Sequence, residues 1–515
     1  MSRLKKCIVF LCTVLMLVSC KNVNNKNDNG TKSSLDYSHL QLDGVYYLNC
    51  EDGLKDKKQL TIILDSIKIS FLPEIDPEII KEFNNRLDKD GYDFAVNFEI
   101  VDARKISPID YYERCIDENK TIDIISCETE ISQDIINSFP ESFECKAHEK
   151  IFWEFVDKNY LISLNDYLKT NEGEQLYNIF PEIYWDRITD NDGKIYGIYD
   201  TIYDPLSLEF VEDVADKYNY DYKKFNGNFT SLESILKKMK NESDVAGLYI
   251  NTLFADTMYE YFEYSCLDCG IYINERTGKA ENIFNNEDFI KYIKTISKFK
   301  KSGYILDLDE HPDDLKTCLC TTARFSSTQD YNQMIIADSY LKNRDSCGGL
   351  GITSSSKYPD EAFKLLYLLY TDSEYASLLQ CGIEGKNYTI TNKNEVELNE
   401  EYSTFGDLDT FQANPYITDR NFEMIVTTEE KQRLLKEMFK RVKKSKTYGF
   451  EYPETDKTKA IKEIYKKYDG LYYGAFNNVE KTLEQANKEL KSAGLDEVLN
   501  DINRQLEKYY NKNNF

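Results

Sequence analysis

Between Gln59 and Cys127 the apolar residues change period again and again. QLTIILDSIKI reads as a strand, DPEIIKEFNNRLDKDG has helical spacing closed by Gly91, and FAVNFEIVD alternates as a strand. PIDYYERCIDEN returns to helical spacing, and TIDIISC reads as a buried strand. Five elements in the order β-α-β-α-β predict an α/β lobe with a largely parallel sheet, because parallel neighbours need a crossover connection. Ligands of such sheets sit beyond the carboxyl ends of the strands. The turn after Cys127, with Glu128 and Thr129, is therefore a candidate part of a site.

The chain is 515 residues long and 41% hydrophobic, enough for a substantial core in two or more domains or lobes. Its net charge is −26, which repels nucleic acid and anionic headgroups. At the N-terminus Arg3, Lys5 and Lys6 precede an apolar run from Cys7 to Val18 that is too short for a permanent membrane span. Leu17-Val18-Ser19-Cys20 resembles the lipobox of bacterial lipoproteins, which implies cleavage after residue 19 and a lipid on Cys20. An ordinary signal peptide with a chance cysteine, or an uncleaved anchor, is the alternative. Residues 21–34, KNVNNKNDNGTKSS, have the composition of a flexible tether, and the expected leash runs over 20–56. Loss of 1–19 leaves 61 basic residues against 90 acidic. The expected location is the extracytoplasmic face of a cell membrane.

Thirteen cysteines are present, of which Cys7 and Cys12 lie in the signal and Cys20 in the lipobox. The remaining ten permit disulfides in an exported chain. Cys266-Leu-Asp-Cys269 and Cys318-Leu-Cys320 admit a four-thiolate zinc site, but the second spacing is short, and buried or disulfide-bonded cysteines are the expectation. The three histidines, His39, His148 and His311, have no metal-ligand spacing. No GxSxG, phosphate loop or HExxH occurs, and GGLG at 348–351 reads as a turn before a strand. No catalytic residue, cofactor or metal is expected; Glu128 with Glu130 is the one acid–base pair considered.

Further along, LISLNDYL, PEIYW and Asp192-Gly-Lys-Ile-Tyr-Gly-Ile198 resemble the extracellular solute-binding lipoproteins of ABC importers, particularly the carbohydrate-binding, LipO-like branch. EDVADKYNYDYKKFNGNFTSLESILKKMK at 212–240 continues the resemblance, and GLGITSSSKYPDEAFKLLYLLYTDSEYASLLQCGIEGKNY at 349–388 matches most closely. KELKSAGLDEVLNDINRQLEKYY resembles the branch's final helices. The stripes Val479, Leu483, Ala486, Leu490 and Leu495, Val498, Leu499, Ile502, Leu506, separated by Gly494, independently predict two amphipathic helices packed on their own domain.

The resemblance implies an α/β, two-lobed periplasmic-binding-protein-like fold with an interlobe cleft and C-terminal helices. Lobe 1 is expected over 57–200 and 346–400, lobe 2 over 201–345 and 401–515. It implies crossings near 198–208 and 342–350, with another passage between 385 and 420. The implied function is membrane-anchored delivery of a small solute, a sugar or oligosaccharide, to permease subunits. Candidate ligand contacts by position are Cys127, Glu128, Trp185, Tyr203, Asp204, Glu384 and Tyr388. Glu384 reads equally as a buried structural acid. The 40 Tyr and 27 Phe supply faces that suit the CH surfaces of sugars. Asn387 replaces a histidine common in the family, and only Trp153 and Trp185 are present, so specificity is expected to depart from the commoner oligosaccharides. The alternatives are a surface ligand sensor or adhesin, and a cleft enzyme like thiaminase I. The latter needs a nucleophilic cysteine, yet the segment 196–205 has none and Glu128 would raise the Cys127 thiol pKa.

Overall fold

The computed structural model describes residues 44–49, 52–67, 69, 72–127, 151–190, 192–199, 205–306, 317–324, 332–341, 349–390, 396–399, 401–408, 413–414, 417 and 428–513. The chain divides into two compact units, residues 1–201 with 345–428, and residues 202–344 with 429–515.

In unit 1 the predicted alternation forms β1 (Val45–Leu48), β2 (Lys58–Ser66), β3 (Phe94–Asp102), β4 (Ile124–Ser126) and β5 (Ile198–Tyr199). Strand β2 pairs in parallel with both β3 and β4. Its connections are α1 (Pro77–Lys89) and α2 (Pro108–Asp117). Each starts with proline, whose fixed φ suits the first helical position, behind a cap: Asp76 accepts the Glu78 N–H and Ser107 the Asp110 N–H. Ile79, Ile80, Phe83 and Leu87 bury one face of α1, which ends before Gly91 at φ +83°. The sheet order is β1-β3-β2-β4, then the strand Gly349–Ile352, then β5. Gly349–Ile352 is antiparallel to both β4 and β5.

Two expected boundaries move. Residues 45–48, assigned to the tether, form a strand antiparallel to β3, because Val45, Tyr46 and Leu48 are buried against the sheet. The chain returns to unit 2 after residue 428 rather than 400. Three residues of this stretch remain bonded to unit 1: Ser403 donates its N–H to Glu74 O, Thr404 its hydroxyl to Gln380 O, and Asn414 its side-chain amide to Tyr370 O. Residues 359–381 form two helices, Pro359–Thr371 and Ser373–Cys381, because Asp372 leaves helical geometry and caps the second.

Unit 2 carries β6 (Leu206–Phe210), β7 (Leu248–Tyr249), β8 (Cys320–Arg324) and β9 (Gln333–Ile335) in the order β9-β6-β8-β7. Its core draws in the C-terminal helices Asp456–Lys467, Val479–Ser492 and Leu495–Asn513. The two predicted stripes lie in that core, with Leu499 only partly buried. The strand Ser339–Leu341 pairs in parallel with Val442–Lys444, joining the unit's two chain segments. Among the described residues no helix is long and apolar enough to cross a membrane.

Candidate functional site

The carboxyl ends of β2, β3 and β4 lie on one edge of the unit 1 sheet. Two of the three changes of unit flank that edge, since Tyr199 ends β5 just before residue 201 and Gly349 opens its strand just after 345. The Cys127 N–H donates to Gly349 O at 3.0 Å, fixing the end of β4 to the start of that strand. The edge is polar and buried. Asp65, Ser66 and Asp102 are each 0% exposed and Ser126 1%. Arg104 forks onto Asp102, Nε to Oδ1 and Nη2 to Oδ2, both at 2.8 Å. A bidentate pair of this kind has defined direction as well as energy. The Ser66 hydroxyl donates to Leu408 O at 2.7 Å, and the Ser126 hydroxyl is buried without a partner among the described residues.

Unit 2 has a corresponding edge. Leu206, the first residue of β6 after the crossing, pairs with Arg324 at the end of β8. Arg324 Nη1 donates to Glu260 Oε2 at 2.6 Å. Glu260, in the 3₁₀ helix Thr252–Phe262, is 2% exposed and also accepts from the Ser339 hydroxyl, two residues before the end of the strand that leads to the second crossing. Each edge thus holds a guanidinium against a buried carboxylate beside the segment that crosses.

A family model described as a domain of unknown function, DUF3502, matches residues 451–511, the C-terminal helices of unit 2. No curated protein matches the sequence. Among solved structures, the N-glycan transport solute binding protein NgtS of Streptococcus pneumoniae is 19% identical over 88% of this chain and 99% of its own, with a TM-score of 0.57. Its complex with Man1GlcNAc gives a TM-score of 0.51 at 20% identity over the same shares. An extracellular solute-binding protein of Bifidobacterium longum subsp. infantis gives 0.50 at 14% identity over 88% and 98%. This chain has the two-lobed fold of the solute-binding proteins. Those neighbours are binding proteins rather than enzymes.

Several residues inferred from the solute-binding resemblance take structural roles. Trp185 is 2% exposed, donates its indole N–H to Tyr177 O at 2.9 Å and stacks on the Tyr177 ring at 4.8 Å, so it is a core side chain and not an open platform. Glu384 is exposed rather than buried, in a turn where the Gly385 N–H donates to Tyr388 O. Tyr388 is 1% exposed. Cys127 is buried, at 0% exposure. Cys20, Glu128, Tyr203 and Asp204 lie outside the described residues. The edge residues Asp65, Ser66, Asp102, Arg104, Glu260 and Arg324 escaped the sequence reading, although polar residues closing apolar strands, as in Leu64-Asp65-Ser66 and Val101-Asp102-Ala103-Arg104, were a usable signal.

Asn387, expected to report a shift in specificity, is a clamp. It is 2% exposed, accepts the Ile383 N–H and donates to Asp76 Oδ2 at 2.9 Å, while Lys386 Nζ reaches Asp76 Oδ1 at 2.9 Å. The motif 382–388 is thereby fixed to the cap of α1. Burial pushes the Asp76 carboxyl up, but the bonds from Lys386, Asn387 and the Glu78 N–H outweigh it and hold the pKa below the usual value. A depressed folded pKa stabilises above the unfolded value and is lost as pH falls through the folded one, so this contribution declines progressively as pH falls below about 4. Asn387→Leu removes one of these bonds; its loss of stability relative to the parent, read by urea melts, is expected to shrink between pH 7 and pH 3.

No group of metal-binding side chains occurs among the described residues, which include Cys115, Cys127, Cys266, Cys269, Cys318, Cys320 and Cys381. The zinc arrangement considered for the CxxC and CxC pairs is therefore not formed, and no disulfide joins these seven. Burial pushes the Cys318 thiol up to about 12 and raises Cys269 and Cys320 as well, which keeps them protonated and inert.

Proposed function

We propose that this chain is the membrane-anchored solute-binding component of an ABC importer. It takes up a sugar or oligosaccharide and hands it unmodified to permease subunits. Cys20 carries the lipid on the extracytoplasmic face of the cell membrane, and the polar residues after it form the leash; two acyl chains anchor stably where one would not. The observation that carries the reading is the coincidence, in each unit, of a buried polar edge with the segments that cross to the other unit. Solute-binding proteins commonly enclose their ligand by hinge closure, which is the form a permease would recognise. The sugar class is supported by the matching fold of NgtS with Man1GlcNAc and by the polar composition of the edges.

A thermal-shift screen of the soluble chain from Lys21 against mono- and oligosaccharides, with thiamin and peptides as controls, tests this reading. Ligand at about 1,000 times its Kd stabilises by about 4 kcal/mol. A saturable shift with a sugar recovered intact supports the proposal. Turnover, or shifts from the controls alone, contradicts it.

A further inference from the structure

The net charge of −26 is not shared evenly between the units. Unit 1 holds 28 Lys and Arg against 51 Asp and Glu, whereas unit 2 holds 36 against 39. One stretch of unit 2 reverses the sign: KQRLLKEMFKRVKKSK, residues 431–446, carries eight basic residues and a single acid, Glu437. It runs from the helix Thr428–Phe439 into the strand Val442–Lys444. Leu435, Met438 and Val442 are buried, while Lys436, Lys440, Lys443, Lys444 and Lys446 are exposed. Lys446 Nζ donates to Arg276 O, which joins the stretch to the hairpin that carries exposed Lys279. The acids bonded to this face are Glu437 to Lys440, Asp338 to Arg441 and Lys443, and Glu263 and Asp288 to Arg276. Among the described residues no carboxylate pairs with Lys279, Lys436 or Lys446, so the face keeps an excess of positive charge.

We propose that this face of unit 2 docks on an anionic phospholipid surface; this rests on the membrane-anchored reading above. A body leashed through Cys20 meets the bilayer at high effective concentration, so contacts too weak to recruit a free protein are enough to seat a tethered one. At physiological ionic strength charges act over about 8 Å, so the bilayer senses the cations of the contacting face and not the acidic total of unit 1. Lysine suits this partner, because a compact ammonium on a flexible stem meets phosphates as a point charge. Each such residue near an anionic surface contributes about fivefold to binding.

The test is co-sedimentation of the soluble chain from Lys21 with vesicles of phosphatidylcholine alone, and of phosphatidylcholine mixed with phosphatidylglycerol. Binding is expected to the mixed vesicles only, and to fall about tenfold or more when salt is raised from about 0.05 M to about 0.5 M. Lys279→Gln, Lys436→Gln and Lys446→Gln, combined in one chain, are expected to lower it about 100-fold. A control with Lys237, Lys301 and Lys481, exposed lysines elsewhere in unit 2, each changed to Gln, is expected to stay within about twofold of the parent. Equal losses in the two variants overturn the proposal, because net charge and not this face then governs binding. Absence of binding to the mixed vesicles overturns it too, and self-association of the parent chain that only the first variant abolishes would then assign the face to a second copy. Anchoring is read separately, by lipid labelling of the full chain at Cys20: no label overturns the anchoring reading, whereas a labelled chain whose soluble part ignores the mixed vesicles overturns the docking face alone.

Discussion

Asp102→Ala is expected to destabilise the protein by about 3–5 kcal/mol, because it removes a bidentate carboxylate from a buried guanidinium. Arg104 is 8% exposed, and both of its bonds to Asp102 measure 2.8 Å. The loss should appear as a lower urea midpoint with an unchanged slope. The double substitution Asp102→Leu with Arg104→Leu should recover most of it, since removing both charges leaves neither stranded. Sugar affinity should not recover in the double variant, because the polar edge is gone. Stability loss that persists unchanged in the double variant would mean that packing, and not charge, holds this turn.

Trp185→Ala is expected to cost a similar 3–5 kcal/mol, about the value for emptying a large buried aromatic site. The indole fills space beside Tyr177 and Phe180 and satisfies Tyr177 O. Sugar affinity, measured at a temperature where the variant is folded, should stay within a factor of about two of the parent, since a side chain that is 2% exposed acts through stability rather than by touching a ligand. Trp185→Phe should lose less, as it retains part of the ring contact. A stable Trp185→Ala that has lost affinity by tenfold or more would return the tryptophan to the site.

Local periodicity makes the parallel core of unit 1 legible in the amino-acid sequence. The capped and proline-started α1 and α2 and the apolar runs of β2 and β3 are strong local signals, and they fall where the pattern places them. Strand β1 is hidden because four residues, VYYL, next to a polar tract carry little periodicity until β3 is there to pair with. The return at 428 is hidden for a related reason: Ser403, Thr404 and Asn414 are tied to unit 1 through bonds to Glu74, Gln380 and Tyr370, partners that only the fold brings to them.

Site residues are less legible than elements. Family position points to Trp185 and Asn387, yet burial and hydrogen bonding make both of them structural. The charged edges are open to inspection in Asp65, Asp102 and Arg104, whose position at strand ends needs no homologue. Glu260 is not, because only the fold brings a 3₁₀ helix residue to the end of β8, 64 residues later.

Hydrogen–deuterium exchange of the soluble chain, with and without a saturating neutral oligosaccharide, tests the central claim most directly. It reports which amides a ligand protects, independently of any substitution. The account predicts new protection at 64–66, 102–105 and 126–127 in unit 1 and at 206–207 and 324 in unit 2, with the C-terminal helices at 456–513 unchanged. Protection confined to those helices, or to other surfaces of either unit, would contradict it.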